Sequence, residues 1–177
     1  MERCAPVEKK RPDRLDKLLV CEQVIAPMEE HLRTTGIEHR EEASLLAGYI
    51  IGGDIGIGTT VLLPYTENSA ASCTFPLEVT MECVDLIHGA GQVLLAQLHT
   101  HPGRFCTHSS VDDRGAFSDC AGLFSVVVPL FGRYGVRRLL ERGIGIHERL
   151  PNGDWRQLPE AEGRKRLVII PSHHLVF

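Results

Sequence analysis

Apolar residues along this chain fall into short runs whose periods alternate between those of strands and those of helices. Between 17 and 34, Leu18, Leu19, Val24, Ile25, Met28 and Leu32 line one side of a helical wheel and predict an amphipathic helix, kinked or interrupted at Pro27. Residues 43–51 and 55–64 read as two strands joined by the Gly52-Gly53-Asp54 turn of a hairpin. The small polar stretch 66–74 reads as a connecting loop that can touch a substrate. Pro76 opens a helix to about residue 88, closed by Gly89. The apolar segments 92–98 and 123–130 read as buried strands. Segments 143–149 and 155–158 flank Pro151-Asn-Gly-Asp154 as a second hairpin, and 167–170 reads as a last strand. This order predicts an α/β class with α+β layering around a mixed β-sheet.

The segment after the strand of 92–98 carries the chemistry. His99 and His101 stand at the strand's exit, two apart, so extended backbone turns both imidazoles to one side and Thr100 to the other. Pro102 donates no ladder hydrogen bond and halts the strand, leaving the imidazoles at an open edge. Eleven residues after His101 comes Asp112, within Ser109-Ser-Val-Asp112-Asp113, a serine N-cap with acids in the first turn of a helix to about residue 118. Two imidazoles and one carboxylate leave the fourth tetrahedral position of a zinc ion for water, as catalytic sites do. Zinc lowers the pKa of such a water to roughly 7. The plain alternative gives the histidines local hydrogen bonds and Asp112 the helix dipole; it accounts for one such residue better than for the whole set. Residues 103–108 read as a loop over the cleft, with Cys106 and His108 packing it or facing a substrate. A Cys-His hydrolase lacks the strand-to-helix turn that would present Cys106 as a nucleophile. Cys120 is expected to be buried. His31, His39, His88, His147, His173 and His174 have no ligand spacing and read as core or surface residues.

His99-Thr-His101-Pro102, six further residues, then Ser109-Ser-Val-Asp112 resembles the motif of the JAMM (JAB1/MPN/Mov34) metalloproteases, and the chain looks like the prokaryotic JAB-like deubiquitinase or isopeptidase group. The resemblance spans approximately residues 20–158. It implies an MPN fold, a curved mixed sheet flanked by helices with zinc at the sheet edge. It also implies one Zn2+ per chain, held by His99, His101 and Asp112, with a glutamate from an earlier segment as general base. Glu41-Glu-Ala-Ser-Leu-Leu-Ala-Gly48 looks like that segment; counting seven residues back from Gly48 selects Glu41, with Glu42 the alternative one register step away. Ser44 stands where many relatives carry glycine. The motif serine, Ser109, is implied to donate a hydrogen bond to an oxyanion; as a plain N-cap it competes with Ser110. The implied reaction hydrolyses the peptide or isopeptide bond after the C-terminal tail of a ubiquitin-like protein, with zinc-bound water as nucleophile and no covalent enzyme intermediate. Removal of an amino acid from a sulfur-carrier protein in cysteine synthesis, and a non-catalytic MPN scaffold, are the alternatives.

Composition bounds this picture. At 177 residues the chain fits a single catalytic domain over 17–177, preceded by a polar, charged extension over 1–16. A formal net charge of -4 argues against a general nucleic-acid or membrane-surface partner. Six cysteines without a Cys-x-x-Cys pair suit free thiols in a reducing compartment. No signal peptide or spanning run is visible, so a cytoplasmic location is expected.

Overall fold

The computed structural model describes residues 12–136 and 143–171. The chain enters as strand β1 (Lys17–Cys21), passes into helix α1 (Glu22–Ile37), and forms the hairpin of β2 (Ala43–Ile51) and β3 (Ile55–Leu62). A small separate ribbon comes next, β4 (Glu67–Asn68) with β5 (Cys73–Thr74), then helix α2 (Leu77–Gly89) and strand β6 (Val93–Thr100). The short helix α3 (Ser110–Arg114) precedes β7 (Phe124–Val128) and a 3-10 turn (Leu130–Gly132). Strands β8 (Gly145–Arg149) and β9 (Trp155–Gln157) make the second hairpin, and helix α4 (Glu160–Arg166) runs directly into β10 (Leu167–Ile170). The main sheet has eight strands in the order β10-β1-β3-β2-β6-β7-β8-β9. It is mixed: β1 is parallel to β10 and β3, β6 is parallel to β7, and the other neighbours are antiparallel.

The α/β architecture is therefore the expected one, and both hairpins form at their predicted turns, where Gly52, Gly53 and Gly153 take positive φ. Residues 17–34 require a correction, since Lys17–Cys21 is a strand and the helix starts only at Glu22. Leu18 and Val20 are buried between two parallel neighbours, one of them from the far end of the chain. The apolar pairs of a two-faced strand mimic a helical stripe, and only that long-range pairing separates them. Pro27 lies inside α1 without ending it. Helix α4 lies where no helix was expected, and residues 66–74 form a ribbon in place of a plain loop. Leu15, read as part of the extension, is fully buried; residues 1–11 of that extension and the His173-His174 tail lie outside the described residues.

Helix α1 buries Val24, Ile25, Met28 and Leu32 against Leu46, Ala96, Leu98, Phe124 and Val126 of the sheet. Removing these side chains from water, at about 25 cal/mol per Å² of apolar surface, is what holds the layers together. Alternation then directs the intervening residues of the central strands, Gln97, His99 and Ser125, to the opposite face. Gly48 sits at a register shift in β2, where a Cβ would stand 1.9 Å from the Ile57 carbonyl oxygen, so the bulged crossing of β2 and β3 needs glycine there.

Candidate metal centre

Strand pairing assembles the site. In the antiparallel ladder of β2 and β6, Ala43 lies opposite His99, and the Thr100 N–H donates to the Glu42 carbonyl at 2.9 Å. Continuing this register outward sets Glu41 opposite His101, so the start of β2 and the exit of β6 meet at one sheet end. Glu41, Ala43, His99 and His101 share one face, while Glu42 and Thr100 share the other. The chain then crosses to parallel β7 through residues 101–123, and α3 rides on this crossover, bringing Asp112 to the same end.

The donor atoms converge. His99 Nε2 and His101 Nε2 are 3.2 Å apart, and Asp112 places Oδ1 at 3.5 Å from the first and Oδ2 at 3.2 Å from the second. Among the described residues this is the one cluster of three or more such side chains whose ligand atoms lie within 4.8 Å of one another. Tetrahedral zinc with bonds of about 2.0–2.1 Å keeps neighbouring ligands about 3.3 Å apart, the spacing these donors already have. Neutral imidazoles and an ionised carboxylate also suit zinc chemically, so the set fits such an ion. Burial alone would raise the Asp112 carboxyl, but hydrogen bonds to His101 and His99 drive it well below the usual range. His101 is lowered by burial, yet its hydrogen bond to Asp112 and the charges of Asp112 and Glu41 leave it raised on balance.

Ser109 orders Asp112 within the first turn of α3. Its hydroxyl oxygen accepts from the backbone N–H groups of Val111 and Asp112, both at 3.2 Å, and its own N–H donates back to Asp112 Oδ2 at 2.5 Å. This is a capping box. With two acceptor contacts made, the hydroxyl hydrogen remains available to donate. Ser109, not Ser110, is thus the N-cap.

The two glutamates have different surroundings. Glu41, 7% exposed, lines a narrow cavity of about 40 Å³ together with His99, Asp112, Ala43, Cys73 and Val111. Burial raises its carboxyl above the usual carboxylate value, and the charge of Asp112 adds to this against His101. Glu42 turns the other way and accepts from the Ala43 N–H at 2.9 Å, the Thr66 hydroxyl at 2.5 Å and the Asn68 amide at 3.0 Å. Burial would raise it too, but hydrogen bonds to His31, Thr66 and Ala43 leave it lowered. Glu42 is thereby a fastener for the β4–β5 ribbon, whose Cys73 and Thr74 form one wall of the cavity.

Other residues near the motif divide in a way that sequence reading missed. Cys106 packs the loop, its thiol donating to the Gly143 carbonyl at 3.0 Å, and burial raises its pKa. Cys120 is exposed, contrary to expectation, because it stands in the turn region before β7. All five cysteines among the described residues are free. His108 faces inward, its side chain 5% exposed and stacked on His147 with ring centroids 3.9 Å apart. The usable signal for that cluster was alternation, since Gln97 shares a face with His99 and pairs with Ser125, which pairs with His147.

Comparison with known proteins gives the same picture. No family model matches the chain. A protein of Desulfitobacterium hafniense, DSY2949, known from a solution structure, superposes on 89% of this chain and 97% of its own with a TM-score of 0.60 at 16% identity, a likeness of fold. AF2198, a JAB1/MPN domain protein from Archaeoglobus fulgidus, reaches a TM-score of only 0.44 at 12% identity over 87% of this chain and 97% of its own, too loose to bear on the assignment. In sequence, the chain is 32% identical over 112 residues to the probable metalloprotease y4jG of Sinorhizobium fredii, covering 62% of this chain and 68% of that protein. The chain belongs to that metalloprotease family, which the His-x-His-Pro and Ser-x-x-Asp motif marks as the JAMM (JAB1/MPN/Mov34) family. It is a metallohydrolase of the JAMM type. No helix among the described residues is long and apolar enough to cross a membrane.

Proposed function

We propose that the protein is a zinc-dependent peptidase or isopeptidase that cleaves after the C-terminal tail of a ubiquitin-like protein, its partner and substrate. His99, His101 and Asp112 hold one zinc ion, Glu41 is the general base, and Ser109 donates to the oxyanion. The observation that carries this reading is the register of β2 against β6, which sets Glu41 beside the convergent donors and Glu42 away from them. Zinc bound there supplies Lewis acidity, polarising a carbonyl and bringing the pKa of water to about 7.

Glu41 takes the proton of the attacking water and returns it to the leaving amine. Its buried carboxyl, raised above the usual carboxylate range by burial, suits a group that must both accept and release a proton. Ser109, fixed by the capping box, has a hydroxyl hydrogen left for the developing oxyanion. Ala43 and Gly115 line the cavity with little bulk, which favours an extended tail of small residues before the scissile bond.

The test pairs zinc stoichiometry with cleavage of a fluorogenic ubiquitin-like C-terminal substrate, for wild type and His99→Ala/His101→Ala. One zinc per chain, lost together with turnover in the variant, is the expected result. Absence of zinc after reconstitution would replace this reading with a non-catalytic scaffold. Cleavage that tolerates bulky residues in place of the small ones at the end of the tail would remove the ubiquitin-like substrate from it.

A further inference from the structure

Behind the three donors runs a chain of hydrogen bonds that spans two strands and both flanks of α3. The Phe117 N–H donates to Gln97 Oε1 at 2.9 Å, and Gln97 Nε2 donates to Ser125 Oγ at 3.2 Å. Ser125 Oγ lies 2.9 Å from His108 Nε2, and His108 Nδ1 lies 3.0 Å from Asp113 Oδ1. With the His108 ring neutral, one assignment satisfies every link. The serine hydroxyl donates to Nε2 of a neutral imidazole, whose Nδ1–H donates to the carboxylate. Ser125 is fully buried and Gln97 is 6% exposed, so a broken link would leave a buried polar group without a partner.

The direction of this chain matters because α3 is only five residues long. A helix of that length does not hold itself in water. Its capping box orders Asp112 relative to Ser109, but fixes neither residue relative to β6. Besides the contacts of Asp112 with His99 and His101 themselves, that task falls to the two ends of the crossover. Gln97 tethers the chain just after α3 through Phe117, and Ser125 tethers the chain just before it through His108, which also grips Asp113 within the helix. Both tethers end on the sheet face that carries His99. The His108 ring has little freedom, since it stacks on His147 and meets Trp155 edge-on with centroids 5.0 Å apart.

We infer that His108 is a positioning residue, through which β7 fixes α3 and so sets Asp112 against His99 and His101 at the spacing a zinc ion requires. His108 itself stands outside the cluster of convergent donors. The inference rests on the proposed reading of His99, His101 and Asp112 as the zinc ligands. Direct hydrogen-bond partners of metal ligands typically carry about 10- to 100-fold in metal affinity; His108 acts one residue further out, through Asp113 beside Asp112, which sets the low end of that range.

The experiment uses the full chain and two metals alone, Zn2+ and Co2+. Zinc dissociation constants by chelator competition, and the visible absorption of the Co2+ protein, are measured for wild type, His108→Ala, Ser125→Ala and the double variant. Each single variant is expected to weaken zinc by about 10-fold, the low end for a direct partner of a ligand, and to shift the Co2+ bands. The double variant should lose less than the sum of the two, because both cut the Ser125–His108 link while each cuts one further link of its own. His108→Gln, whose amide both donates and accepts, should recover part of the affinity and of the spectrum. Wild-type affinity and spectrum in a folded His108→Ala would overturn the inference, as would additive losses in the double variant. Should His108→Ala fail to fold by circular dichroism, Ser125→Ala decides by the same criteria. A wild type that binds neither metal sinks the proposed function and this inference together, whereas a binding wild type with equally tight variants sinks this inference alone.

Discussion

Glu41→Gln and Glu42→Gln change the same atoms in adjacent residues, yet their effects on stability should differ by several kcal/mol. Ala43, Thr66 and Asn68 donate to the Glu42 carboxylate at 3.0 Å or less, with His31 and the Cys73 thiol as longer partners. A glutamine keeps one accepting oxygen and turns an N–H₂ group toward at least one of them. Hydrogen bonds to a charged group contribute roughly 1.5–3 kcal/mol each, and a buried donor left unpaired costs about 1–3 kcal/mol. A loss of about 2–4 kcal/mol is expected for Glu42→Gln on these magnitudes. With a urea slope of about 2 kcal/mol/M, the unfolding midpoint falls by about 1–2 M. The Glu41 carboxylate accepts no hydrogen bond among the described residues, and burial disfavours its charge, so Glu41→Gln should be neutral or slightly stabilising in chelator-treated protein. The pH dependence has opposite signs as well. Glu42, with its folded pKa lowered, contributes stability that is present above about pH 4.3, the unfolded glutamate value, and lost as pH falls through the folded value. Glu41, with its folded pKa raised, removes stability as pH rises from the unfolded value through the folded one. Urea titrations of both variants at acid and neutral pH check this, with turnover alongside, where only Glu41→Gln should abolish cleavage while retaining zinc. A Glu41→Gln midpoint that falls as far as that of Glu42→Gln would refute the assignment of faces.

The geometry sets three further outcomes. Asp112→Ala should weaken zinc far more than Asp113→Ala, since only Asp112 meets both imidazoles while Asp113 reaches His108; equal losses in chelator competition would contradict this. Gly145→Ala would put a Cβ 1.7 Å from the Cys106 carbonyl oxygen, so the loop over the site must shift, at about 1–3 kcal/mol of overpacking, readable as a lowered thermal midpoint. His147 is held near pKa 3, by burial first and then by the neighbouring His108 and His99, below its unfolded value of about 6.5. Its contribution to stability is therefore complete above the unfolded value and is lost as pH falls toward the folded one, and His147→Gln should flatten the decline in thermal midpoint between those limits.

Sequence pattern was informative where structure is local. The turns at 52–54 and 151–154 declare themselves through residues that must take positive φ, and helix α2 through Pro76 and Gly89. Strand β1 did not, because Leu18, Leu19 and Val20 are apolar on successive positions, and what makes them a strand is parallel pairing with Leu167, Val168 and Ile169. Helix α4 was equally hidden. Its polar segment buries only Gly163 and Arg166, the latter bound to Glu148 and to the carbonyls of Leu15 and Asp16. A helix held by distant charges carries little apolar period to read.

The donor set was legible for the same reason, since His99 and His101 share a strand exit and Asp112 lies one short crossover away. What the spacing left open was which glutamate joins them, because two adjacent acids differ only in the face they take. The ladder resolves it through a single pairing, Ala43 with His99, which propagates to Glu41 and His101. The supporting network needed two more pairings, Gln97 with Ser125 across the crossover and Ser125 with His147 on the next strand, neighbours in space but distant in the chain. A cluster built across strands leaves no local spacing in the chain. It becomes readable only once the sheet order is known, and from then on alternation alone names its members: the polar residues at 97, 125 and 147 must all face the metal side, and Gln97 and Ser125 find their hydrogen-bond partners there.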